Sequence, residues 1–242
     1  MDLALFYVVL FAVIFYVESV AEMMGKSIVA VPPGNLTVID LNLAYNQVRH
    51  LPSFYFRGYR NLEKLEMGHN LVAAVDAVAF KGLNRLRSID LSGNNVSRVD
   101  SRAFRYNVRL TKLDLSDNVL SFDPEKPFLR SASLETLVLS GNRISHVFDI
   151  SFARLPGLRH LMMDHNVLYY VSANSFRPLG RLQYLSLADT GVYKLNGAMF
   201  GAVPRVLDLT DTPVAKTFDP PLRKIRDRAV GRLLAIDDMV WT

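Results

Sequence analysis

From residue 38 onward, leucine and its apolar equivalents fall in a fixed frame. Two apolar residues separated by one outward residue follow a leucine by three positions and precede an asparagine by three. The frame recurs as LEKLEMGHNLV from Leu62, LRSIDLSGNNV from Leu86, LTKLDLSDNVL from Leu110, LETLVLSGNRI from Leu134, LRHLMMDHNVL from Leu158 and LQYLSLADTGV from Leu182. Each unit begins 24 residues after the last; an earlier one, VIDLNLAYNQV from Val38, keeps the step, and a later one, PRVLDLTDTPV from Pro204, follows after 22. The alternation predicts a short strand in each unit, with Leu113 and Leu115 inward and Lys112, Asp114 and Ser116 outward. One unit alone cannot cover its apolar side. Stacked units join these leucines into one core, and their strands pair as a parallel sheet about 4.8 Å apart.

Two further columns share the period. Asn46, Asn70, Asn94, Asn118, Asn142 and Asn166 stand where the chain turns off the strand. There an inward carboxamide satisfies backbone groups of adjacent turns that would otherwise be buried unpaired. Thr190 and Thr212 take that position in the last two units, and a hydroxyl offers fewer bonds, so a looser C-terminal end is expected. Phenylalanine recurs at 56, 80, 104, 128, 152, 176 and 200, spaced to form a second column behind the sheet.

The pattern L-x-x-L-x-L-x-x-N-x-L, with a phenylalanine ten positions beyond the asparagine, resembles the leucine-rich repeat family in its 24-residue extracellular class. The resemblance implies an α/β repeat: a curved solenoid, or horseshoe, with a parallel sheet on its concave face and a phenylalanine spine behind. It covers residues 38–214 in eight units. Residues 22–37 correspond to the N-terminal cap of extracellular members, without the cysteines usual there. Residues 215–242 place Leu222, Ile225, Ala229, Leu233 and Ile236 at helical spacing, which predicts a helical C-terminal cap. Its other side carries Arg223, Lys224, Arg226, Arg228 and Arg232, so a membrane-surface or partner-binding helix is the rival reading.

The N-terminus changes the picture of location. Leu3 to Val17 is an uninterrupted apolar run, and Ser19 and Ala21 follow at signal-peptide spacing, so residues 1–21 read as a secretory signal cut before Glu22. Asp2 stands where a positive charge is usual. An uncleaved anchor is the alternative, although spanning hydrocarbon takes about 20 apolar residues. Secretion makes Asn35-Leu-Thr37 and Asn95-Val-Ser97 candidate glycosylation acceptors. The chain has no cysteine, which excludes disulfides, thiolate catalysis and cysteine-held metals.

Net charge is +5 and the pI about 9.4. Yet the outward residues on the strands run Asn42, Glu66, Asp90, Asp114, Val138, Met162, Ser186 and Asp208, and those before the asparagines run Tyr45, His69, Gly93, Asp117, Gly141, His165, Asp189 and Asp211. The concave face is therefore expected to be acidic and to bind a protein partner carrying basic groups. Candidate contacts are Glu66, His69, Asp90, Asp114 and Asp117, with Met162, His165, Tyr184, Asp189 and Asp208 farther along. Val138, Met162 and Tyr184 with His160 form a less charged patch.

The cluster HLMMDHN at 160–166 is not a metal site in this frame. His160 and Asp164 are separated by about 13 Å of strand, whereas metal ligands lie about 2.1 Å from a shared ion. Asp189, one turn along, is the one partner within reach of His165. No nucleophile elbow, phosphate loop or H-E-x-x-H occurs. The sequence thus predicts no enzyme, no cofactor and no nucleic-acid partner. The expected function is a secreted recognition module using its concave face. The alternative is a membrane-anchored adhesive or structural cell-surface protein using its convex face and basic C-terminal helix.

Overall fold

The structure, a computed structural model, describes residues 20–217 and 224–226. In chain order the strands are β1 (Val20–Glu22), β2 (Asp40–Asn42), β3 (Lys64–Glu66), β4 (Ala74–Val75), β5 (Ser88–Asp90), β6 (Arg98–Val99) and β7 (Lys112–Asp114). They continue with β8 (Thr136–Val138), β9 (His146–Val147), β10 (His160–Met162), β11 (Tyr170–Val171), β12 (Tyr184–Ser186), β13 (Val206–Asp208) and β14 (Lys224–Arg226). Ten of them form one sheet in the order β1-β2-β3-β5-β7-β8-β10-β12-β13-β14. Every pairing is parallel except β13 with β14.

The in-phase register puts Leu41, Leu65, Ile89, Leu113, Leu137, Leu161, Leu185 and Leu207 side by side. All eight are fully buried. The chain is a curved solenoid with this sheet on its inner face. Behind the sheet lie the pairs β4–β6 and β9–β11, linked by turns. Among the described residues, helical structure amounts to a 3-10 turn at Gly197–Met199 and one α-turn at Pro213–Lys216.

The asparagine column is a ladder. The N–H groups of Val48, Val72, Val96, Leu120 and Ile144 donate to the Oδ1 atoms of Asn70, Asn94, Asn118, Asn142 and Asn166 over 2.8–3.0 Å. Each Nδ2 donates backward to a carbonyl of the preceding turn, from Leu43 O to Leu139 O. Thr190 and Thr212 instead donate 2.6 Å bonds to Leu187 O and Leu209 O, three residues back in their own turns. The reduced bonding expected at that end is present.

The phenylalanine spine is continuous in two pieces. Phe56, Phe80 and Phe104 stack at 5.6 and 5.4 Å, and Phe152, Phe176 and Phe200 at 6.0 and 5.2 Å. Between them Phe122 meets Phe128 at 5.0 Å and Phe152 at 5.5 Å. The cause is one polar residue. Asp123 stands where Val75, Val99, Val147 and Val171 stand in other turns, and it is exposed, because an unpaired carboxylate is costly to bury. Its neighbour Phe122 fills the space instead.

Each end carries a strand outside the repeat frame. β1 pairs in register with β2 and seats Ala21, 2% exposed, beside Leu41. The N–H groups of Lys26 and Ile28 donate to Asn46 Oδ1, and Asn46 Nδ2 donates to Met23 O. The N-terminal segment is thus a shortened turn of the same spiral, and the expected cut before Glu22 falls inside β1. The signal segment otherwise lies outside the described residues. At the other end Lys224–Arg226 is a strand, not part of a helix, and sets Ile225 against Leu207. An open sheet edge leaves N–H and C=O groups unpaired, and an antiparallel strand satisfies them directly. The remaining residues of the predicted helix beyond Thr217 lie outside the described residues.

Candidate functional site: the concave face and its rim

Outward positions of the strands line the concave face, and the residues before the asparagine column form its rim. All eight rim residues from Tyr45 to Asp211 have φ between 49° and 65°. This left-handed backbone turns the chain off the strand; it suits glycine, aspartate and histidine and is costly for bulky residues. It also extends the ladder, since rim N–H groups donate to the next turn: His69 to Ser92 O at 2.8 Å, Asp117 to Ser140 O at 2.8 Å and His165 to Ala188 O at 3.0 Å. Side chains there stand free of the core. Tyr45 and His69 stack at 4.4 Å. A Cβ at Gly141 would collide with the Asp117 carboxylate, so that glycine leaves room for the acid to lean along the rim.

The expected contacts fall into three groups. Near the N-terminal end, Glu66 is ion-paired with Lys64, which also lies 3.8 Å from Asp40. The Glu66 hydrogen bond raises the Lys64 pKa, and burial raises that of Asp40. In the middle, Asp90 and Asp114 are paired in register across β5 and β7. Asp90 Oδ1 accepts from Ser92 N–H at 2.8 Å, and Asp114 Oδ1 from Ser116 N–H at 3.0 Å and Ser116 Oγ at 2.6 Å. One oxygen of each aspartate therefore closes the turn after the strand. The other has no hydrogen-bond partner among the described residues, and Asp117 beside them has no ion-pair partner there either.

The third group includes His165, whose Nδ1 lies 2.7 Å from Asp189 Oδ2, while Asp164 is 3.9 Å from its other nitrogen. The Asp189 hydrogen bond, with the charges of Asp164, Asp189 and Asp117, raises the His165 pKa above its ordinary value. Among the described residues, no group of three or more His, Asp or Glu side chains is placed to hold a metal ion. Met162 is half-buried between Val138 and Ser186 in register.

Tyr184 and Asp208 are partly occupied by the chain itself. Lys224 of β14 lies 4.9 Å over the Tyr184 ring, donates to its hydroxyl at 3.2 Å and sits 3.7 Å from Asp208. The tyrosine hydrogen bond, then the aspartate charge, raises the lysine pKa. Periodicity gave no sign of this contact, because β14 lies outside the repeat frame. Of the glycosylation candidates, Asn95 is exposed, whereas Asn35 is half-buried with Oδ1 accepting from Thr37 N–H and Oγ1 at 2.9 and 3.0 Å.

Comparison with known proteins agrees with this architecture. A family model described as Leucine rich repeat matches residues 35–96, 60–120, 85–144 and 132–192, well over half of the chain. A search of curated protein sequences finds no match. Among solved structures, the leucine-rich repeat domain of APL1B is similar over 84% of this chain, at TM-score 0.64 and 22% identity, and the match spans 58% of that domain. Human 5T4, also titled Wnt-activated inhibitory factor 1 and trophoblast glycoprotein, is similar over 78% of this chain and 75% of its own, at TM-score 0.62 and 27% identity. The Drosophila Toll–Spatzle complex matches over 73% of this chain and 25% of that one, at TM-score 0.56 and 22% identity. Among the described residues no helix is long and apolar enough to cross a membrane. With its in-register strands, asparagine ladder and family match, the chain belongs to the leucine-rich repeat family.

Proposed function

We propose that this chain is an exported, non-enzymatic recognition module that binds a basic region of a protein partner through the middle of its concave face. The observation that carries this reading is the trio Asp90, Asp114 and Asp117, on adjacent turns, whose ligand-facing oxygens the chain leaves unpaired among the described residues. Glu66, in the turn before Asp90, and Asp208, four strands beyond Asp114, are occupied by Lys64 and Lys224, which leaves the trio as the unpaired acidic group between them. A rigid curved sheet suits recognition because its side chains are already positioned. Similar solved structures include assemblies titled LRIM1/APL1C and Toll–Spatzle, and one titled TLR13–ssRNA13.

The test is capture of partners from extracellular fluid by the wild type and by Asp90→Asn/Asp114→Asn/Asp117→Asn. Asparagine keeps the Oδ1 acceptor for the Ser92 and Ser116 N–H groups, so the fold is retained. Capture by the variant is expected to fall about tenfold or more, and wild-type capture to weaken with salt. Equal capture by a folded variant overturns the concave-face assignment. N-terminal sequencing tests export separately: loss of residues 3–17 supports secretion, and their retention in a membrane fraction overturns it.

A further inference from the structure

Seven of the chain's 28 Lys and Arg residues lie close together on the flank that leads into the middle strands. The segments 104–111, 130–135, 153–159 and 177–183 contain seven arginines and one glutamate. That glutamate, Glu135, is 3.8 Å from Arg159. Arg109, Arg130, Arg154 and Arg181 are exposed and have no carboxylate partner among the described residues. Such a density of unneutralised guanidinium groups on one folded surface is a source of self-repulsion, and an anionic ligand would relieve it.

The surface between them is hollow. A cavity of about 350 Å³ runs between Arg109 and Arg181 over Ala132, Ser133 and Gly157, with Arg87 and the Arg159-paired Glu135 also in its wall. A second, of about 660 Å³, continues from Val108, Ala132 and Ser133 to Arg105, Arg130 and Arg154. The floor residues are small, and at Gly157 a Cβ would come within 2.7 Å of Ala132 O, so glycine there lets the two turns beneath the groove approach closely. Counting three strand steps, Arg109 and Arg181 are about 14 Å apart along the groove.

The groove also breaks an apolar column. Tyr59, Leu83, Leu155 and Leu179 are buried at equivalent positions, but the turns beneath the groove place Asn107 and Ser131 there. Asn107 is 1% exposed, and its Nδ2 donates to Phe80 O and Leu83 O at 3.0 Å. Its Oδ1 has no partner among the described residues. Ser131 and Ser133 add hydroxyls 3.4 Å apart.

From this juxtaposition we propose that the arginine groove is a second binding site, for a linear sulfated polysaccharide, separate from the concave face. Guanidinium forks match the paired oxygens of sulfate groups, and the Ser131 and Ser133 hydroxyls on the floor match those of sugar rings. A groove admits a chain, whereas a bilayer presents a plane. Neither cavity is lined by an exposed aromatic ring on which a nucleobase could stack.

The test measures binding of the full chain to a heparin oligosaccharide at about 150 mM salt, where weak surface attraction is largely screened. Saturable binding is expected, at least about tenfold weaker for Arg109→Ala/Arg154→Ala/Arg181→Ala. Arg49→Ala/Arg143→Ala/Lys216→Ala removes the same charge elsewhere and is expected to change affinity much less. The chemically desulfated oligosaccharide is expected not to compete. An equal loss in both triple variants, equal binding of the desulfated chain, tighter binding of polyuridylate or phosphatidylserine vesicles, or no binding would each overturn the proposal. Partner capture through Asp90, Asp114 and Asp117 reads the other face, so failure of either idea leaves the other testable.

Discussion

Asn118 shows what a single rung contributes. It accepts from Val96 N–H at 2.8 Å and donates to Leu91 O at 2.9 Å in the preceding turn, then to Leu115 O and Ser116 O in its own. Thr190, at the same place three turns on, makes one bond to Leu187 O and leaves Leu168 N–H without a side-chain acceptor. Thr190→Asn should therefore add two bonds between turns and raise unfolding free energy by about 1–2 kcal/mol, at about 1 kcal/mol per net hydrogen bond. Urea denaturation measures it; a lower midpoint at unchanged slope would show that this turn no longer has room for a carboxamide. The rungs were legible in the sequence because six asparagines share one period. The left-handed rim was also there to be read, since glycine, aspartate and histidine at 93, 141, 117, 189, 69 and 165 are the residues that tolerate it. Pairings such as Glu66 with Lys64 were not legible, because a period says which residues face outward but not which neighbours their flexible ends choose.

At the scale of elements, the stack behind the sheet behaves as two columns hinged on Phe122. Phe152 is fully buried and its ring meets both Phe122 and Phe176, whereas Phe128 is 8% exposed and its ring pairs, among the described residues, only with Phe122. Phe152→Ala is expected to cost about 3–5 kcal/mol, in the range for emptying a buried aromatic site, and Phe128→Ala roughly half as much. Thermal or urea unfolding of the two variants gives the comparison, and equal losses would show that the spine runs through Phe128 after all. The 24-residue phenylalanine period concealed this break, because it tracks position and not the polarity of the neighbour at Asp123. Both terminal strands were hidden for related reasons. β1 sits 20 residues before β2 and has Ala21 within it and Met23 just after it where leucines are usual. β14 lies in a segment whose spacing reads as helical, and the sheet edge it covers is a feature of the assembled fold that no local pattern contains.

For the molecule as a whole, each turn touches only its neighbours, so stability is close to a sum of turns and the interfaces between them. The chain supplies its own ruler for those interfaces. Leu43, Met67, Leu91, Leu115, Leu139, Met163 and Leu187 occupy one position in successive turns, and each N–H donates to the next turn at 2.7–2.9 Å. Interfaces bridged by asparagine lie on both sides of Leu91 and Leu115. Leu187 sits between turns whose rungs are Thr190 and Thr212, each bonded only within its own turn among the described residues. Local opening is therefore expected to be easiest from the C-terminal turns. Native-state hydrogen exchange should give Leu91 and Leu115 opening free energies near the global value and Leu187 a value lower by about 2 kcal/mol or more. Thr190→Asn should shrink that gap without changing protection at Leu91. Uniform protection along the series would mean that the turns open as one unit, and that β14, by closing the last edge, compensates fully for the missing rungs.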